Sequence, residues 1–148
     1  MIELLVAITI IIVALVVLMQ AYAFFTKANS QNKKNLEATA LAQEMLEATR
    51  SVRDESWANF VALSLETAYH PVQSGSPAKW SLTAGQETIS GFTRQIVLSS
   101  VFRDANDDIV ASGGTEDAGT RKLTAIVSWS DQGRNYSVSL VNYLTNWR

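Results

Sequence analysis

Few side chains in this 148-residue chain are suited to chemistry. Asp104, Asn106 and Asp108 alternate along a short acidic stretch, the spacing at which a loop offers oxygens to a hard cation such as calcium. The pattern is incomplete. Ile109 stands where such a loop turns on glycine, and Thr115 where it carries a bidentate glutamate. The same residue types build ordinary turns between strands, so these three are candidate metal ligands set against a turn. His70 is the only histidine, which rules out a histidine-rich metal centre, and before Pro71 it reads as a satisfied surface side chain. Asn135-Tyr136-Ser137 is a formal glycosylation sequon.

The absence of cysteine removes disulfides, thiolate metal sites and cysteine nucleophiles together. There is no glycine-rich phosphate loop, nucleophile elbow or metal-binding histidine pair. No enzymatic activity and no cofactor are expected. A net charge of −2 gives no basic surface for nucleic acid.

Glu3 is the one polar residue in an otherwise oily start. From Leu4 to Phe25 the only strongly polar side chain is Gln20, and Thr9 is small enough to bond back to its own helix. A helix needs about 20 apolar residues to cross a hydrocarbon core, and this run meets that length. It is too long for the core of a cleaved secretory signal, and no lysine or arginine precedes it. A membrane-spanning helix is the reading. A carboxylate near its end either sits at the headgroups and complements the helix dipole, or neutralises a positive group on a neighbouring helix. Both readings stand on position alone.

The string Met1-Ile2-Glu3-Leu4-Leu5-Val6-Ala7-Ile8, followed by the uninterrupted apolar helix, resembles the start of mature type IV pilins and pseudopilins. The match covers residues 1–25 closely. The resemblance implies cleavage by a prepilin peptidase and methylation of the new N-terminus. It also implies that Glu3 pairs with the N-terminal amine of an adjacent subunit during assembly. In that family an aromatic and a small residue usually stand ahead of the position of Met1. Leu41-Ala42-Gln43-Glu44-Met45-Leu46-Glu47-Ala48, with Arg50, Arg53 and Trp57, is similar to a pattern that follows the span in some members, and an ordinary amphipathic helix accounts for it equally.

Stepping along the chain, neither glycine nor proline occurs from residue 1 to 70. One helix over residues 2 to about 52 is expected, close to 80 Å long at about 1.5 Å per residue. The β-branched run Ile8–Val13 lowers helix propensity modestly. Lys27, Lys33 and Lys34 beside the span run against an outward-facing head, since such residues ordinarily mark the cytoplasmic side. Ala38, Leu41, Met45, Ala48 and Val52 recur at spacings of three and four and line one helix face. Glu37, Glu44, Glu47, Arg50 and Arg53 fall elsewhere, with Glu47 in reach of Arg50.

Residues 55–90 read as a loop region, with loop signals at Tyr69-His70-Pro71 and Gly75-Ser76-Pro77 and one short strand at Trp80-Ser81-Leu82. Three stronger strands follow: Phe92–Phe102, then Leu123–Ser130 and Tyr136–Val141, both alternating. Asp131-Gln132-Gly133-Arg134 reads as a hairpin turn between the last two. The expected fold is α+β: a long N-terminal helix with a hydrophobic first half, packed at its C-terminal half on a small antiparallel sheet of three or four strands. The expected division is 1–25 for the transmembrane or filament-core half and 26–148 for the head, comprising helix 26–54, loops 55–90 and sheet 91–148.

Two functions follow. The first is a structural subunit of a type IV pilus-like filament, held in the cytoplasmic membrane before assembly and then extracellular on the cell surface. Its partners would be copies of itself, the membrane, the prepilin peptidase and the pilus assembly machinery. The alternative is a single-pass membrane-anchored binding module.

Overall fold

The computed structural model describes residues 1–147. The chain divides into two compact units, Met1–Leu36 and Glu37–Arg148. The boundary falls later than the compositional change at residue 25, because residues 26–36 are polar yet still mostly exposed.

The first unit is helical throughout. It forms the beginning of α1, Ile2–Glu55, which continues into the second unit without a break. The hydroxyl of Thr9 donates to the Val6 carbonyl at 2.8 Å, which satisfies it within the apolar run. That bond and the unbroken backbone ladder suit a segment with no other polar partners to offer.

The second unit is α+β. After α1 comes the short α2, Trp57–Val61, whose start is capped by the Ser56 hydroxyl accepting from the Asn59 amide. Seven strands follow: β1 Ala68–Ser74, β2 Lys79–Ala84, β3 Glu87–Ile89, β4 Phe92–Arg103, β5 Ile109–Val110, β6 Thr115–Asp131 and β7 Arg134–Thr145. They form one antiparallel sheet in the order β2-β1-β4-β6-β7, with β3 and β5 also pairing with β4. The sheet is therefore larger than the three or four strands expected.

Of the added strands, β1 and β3 lie in the stretch read as loops, and β5 follows β4. Tyr69-His70-Pro71 belongs to β1, and Gly75-Ser76-Pro77 is the turn into β2. β1 pairs with β4 only at Ala68 and Tyr69. Beyond that point one of its edges is open, so Pro71 forfeits no ladder bond for want of an N–H. Between β6 and β7 the expected hairpin is present. Gln132 and Gly133 both have positive φ, 50° and 74°, as a two-residue primed turn requires.

Packing follows the side-chain periods. On β6, Leu123, Ala125, Val127 and Trp129 are buried, while Thr124, Ile126 and Ser128 face the other way. β4 buries Phe92, Arg94, Ile96 and Leu98, then shifts phase at a bulge near Val101, which is buried in place of Ser100. Against this face α1 presents Ala38, Ala42, Met45, Ala48 and Thr49, all buried. The stripe is offset from the expected one: Ala42 and Thr49 are fully covered, Leu41 and Val52 only partly. The helix contributes mostly small residues to this core, and the volume comes from Met45, Phe60 and the sheet side chains. Phe92, Trp129 and Tyr136 share one row across β4, β6 and β7, with ring centroids 5.5 and 5.7 Å apart.

One glycine is fixed by space. A Cβ on Gly114 would overlap the Arg103 carbonyl oxygen and lie 2.8 Å from Val110 Cγ2. Gly114→Ala is expected to destabilise the second unit by about 1–3 kcal/mol, since backbone cannot yield as a side-chain tip can. A denaturant melt of the variant that overlays the parent would contradict this.

Candidate functional site

The residues from which an assembly site could be built lie at the start of α1. From Met1 to Gln20 every residue is exposed, although nearly all are apolar. This part of the helix is long and apolar enough to cross a membrane, and none of its most apolar window is buried. Ile, Leu and Val point outward on every side of the helix, as in a segment designed for a non-aqueous surrounding. Glu3 sits in the first turn of α1, exposed, where an acid is favourable beside the free amides of the helix start. Among the described residues it forms no ion pair.

The candidate metal ligands occupy the loop between β4 and β5. Asp104 Oδ1 accepts from the amides of Asn106 at 2.8 Å and Asp108 at 3.0 Å. Its carboxylate therefore shapes a turn, closed further by the Asp107 amide donating to the Asp104 carbonyl at 3.1 Å. Arg103 Nη1 donates to the Asp107 carbonyl at 2.8 Å, and its Nε donates to Asp117 Oδ2, also at 2.8 Å. A guanidinium thus occupies the acidic loop. No group of three or more acidic or histidine side chains able to hold a metal ion occurs among the described residues. Of the three candidates, Asp104 spends its carboxylate on the amides of the other two.

The hydrogen bond from Arg103, and then that from Thr120, hold the Asp117 carboxyl below its ordinary value of 3.8. A carboxyl lowered in the folded state contributes stability above the unfolded pKa and loses it as pH falls through the folded one. Thermal melts at pH about 5 and about 2.5 should show this. Asp117→Asn is expected to be the less stable chain at the higher pH, with a smaller loss on acidification than the parent. Equal losses in both chains would contradict it.

His70 lies on β1, and its Nδ1 donates to the Gly85 carbonyl at 3.1 Å. Asn135 and Ser137 of the sequon lie exposed on β7, beside the hairpin turn. Glu47 accepts from Arg50 at 2.9 Å, as their spacing predicted.

Sequence reasoning missed a buried cation. Arg94 is only 4% exposed, on the inward face of β4 between Phe92 and Ile96. Its Nη1 donates to Glu44 Oε1 at 3.0 Å, its Nε and Nη2 to Glu87 Oε2 at 2.8 Å. It ties α1 to β3 and β4. Both carboxylates keep contact with water, so the ions are not fully desolvated, and the arrangement fixes the position of the helix on the sheet. The signal was present: in the alternation of β4, position 94 has inward parity.

No protein-family model, curated protein or solved structure matches the chain.

Proposed function

We propose that this chain is a structural subunit of a type IV pilus-like extracellular filament. One observation carries the reading. A single unbroken helix is apolar and exposed around its whole circumference at one end, and at the other supplies one face of the core of a folded α+β unit. The exposed end is stable in lipid, or among the same segments of other copies, where burial contributes about 25 cal/mol per Å² of apolar surface. One surface thus serves two successive settings, the cytoplasmic membrane before assembly and the filament core after it.

In this account α1 bundles with its copies while the second unit decorates the outside. Glu3, which forms no ion pair among the described residues, accepts the N-terminal amine of a neighbour and sets the register of the bundle. The resemblance of residues 1–8 to mature pilin N-termini supports this role. It also supports a prepilin peptidase and an assembly machinery as further partners. Intact-mass measurement on chain recovered from cells tests the processing. The expected result is a trimmed, methylated N-terminus; an unprocessed one would contradict the proposal.

A membrane-anchored binding module is the second reading, favoured by a groove on the outer sheet face lined by Phe102, Ile109, Lys122 and Tyr143. It requires the same anchor but no fibres.

A further inference from the structure

The outer face of the sheet is mixed: a hydroxylic row of Thr93, Ser128 and Ser137 crosses β4, β6 and β7, and Val97 and Val141 flank Thr124. One end gathers the largest exposed apolar groups. There Phe102, Ile109 and Tyr143 are exposed apolar side chains, and with Lys122 they line a groove of about 380 Å³. Lys122 pairs in register with Ser99 on β4 and Tyr143 on β7, so no acid stands directly across from it on either side. It forms no ion pair among the described residues. The nearby acids are engaged elsewhere: Glu116 accepts from Ser100, and Asp117 from Arg103. A half-buried cation beside both serines and apolar groups, in no ion pair among the described residues, is complementary to an acid carried beside an apolar side chain.

The chain carries such a feature. Between Phe25 and Phe102, Leu36 is the one large hydrophobic residue left exposed among the described residues, at 72%. Glu37 follows it on α1, also exposed and in no ion pair among the described residues. Ala40, one turn on from Leu36, is small and leaves that face unobstructed.

We propose that Leu36 and Glu37 of one copy seat in the Phe102–Ile109–Lys122–Tyr143 groove of a second copy, the Glu37 carboxylate meeting the Lys122 ammonium. The contact rests on the filament reading, because assembly is what brings copies side by side. It gives each chain one donor surface and one different acceptor surface. Such a heterologous contact propagates from copy to copy instead of closing on a pair.

The lack of native cysteine makes a clean test. Full-length copies carrying Ala40→Cys and differently tagged full-length copies carrying Ala111→Cys, on the groove wall, are co-expressed and oxidised in cells. The expected product is a mixed-tag dimer in clear excess over that obtained when Thr83→Cys, exposed on β2, replaces Ala111→Cys. Glu37→Lys in the first copies, or Lys122→Glu in the second, should lower its yield about fivefold, and both together should restore it. A mixed dimer no more abundant than the control, or one indifferent to the reversals, overturns the contact. The same cells are examined for fibres. Fibres without the mixed dimer overturn the contact and leave the filament reading standing. A charge-dependent mixed dimer without fibres supports the contact and contradicts the filament.

Discussion

Met45→Ala, in a chain shortened to residues 26–148, is expected to lower stability by about 2–5 kcal/mol. Met45 is fully buried and belongs to the cluster that contains Phe60, Ile96, Leu98, Leu123 and Val127. Its helical neighbours in that cluster are Ala38 and Ala42, too small to expand into the space a missing thioether leaves. The cavity term therefore adds to the lost transfer energy instead of relaxing away. For a domain of this size the melting temperature should fall by roughly 10 °C. The shortened chain should remain soluble, because every member of the core cluster lies within it. An unchanged melting temperature would mean that this face of α1 packs against other copies and not against its own sheet.

Glu3→Ala and Glu3→Gln are expected to leave that melting behaviour untouched while reducing fibre yield at least tenfold. Glu3 belongs to the first compact unit, and the core belongs entirely to the second. Among apolar helices, removing one partner of a buried ion pair costs about 3–5 kcal/mol, because the other charge is left uncompensated. At 1.4 kcal/mol per factor of ten, even a partly hydrated pair governs assembly. Glutamine keeps the shape and loses the charge, so it separates electrostatics from packing. Normal fibre yield from both variants would return Glu3 to the role of a headgroup-facing acid at the helix start.

The parts of this fold legible in the sequence are those set by one strong local pattern. A chain without glycine or proline up to residue 70 gave α1 nothing to break on, and the helix runs to Glu55, close to the expected end. Strict alternation marked β6 and β7, and the Asp131–Arg134 turn marked their pairing. Where two signals competed, local reading failed. Pro71 argues against a strand, yet β1 accepts it because the edge there is open. The bulge on β4 moves Val101 inward, a phase change that no alternation count contains. Charge misled in both directions. Arg94 has the inward parity of a core residue but the chemistry of a surface one, and only the tertiary placement of Glu44 and Glu87 reconciles them. The spacing of Asp104, Asn106 and Asp108 suggested oxygens in a loop, and the Asp104 carboxylate there closes a turn on the amides of the other two. Glu3 was legible as an anomaly, a lone carboxylate at the start of an oily helix.

The proposed filament requires copies of this chain to build a fibre through the apolar half of α1. Negative-stain electron microscopy of producing cells, with antibody raised against the folded second unit, tests it most directly. Thin surface fibres labelled along their whole length, and lost when the chain is deleted, are the result the account requires. Labelling confined to the cell envelope, with no fibres that depend on the chain, would contradict it and leave a membrane-anchored binding module in its place.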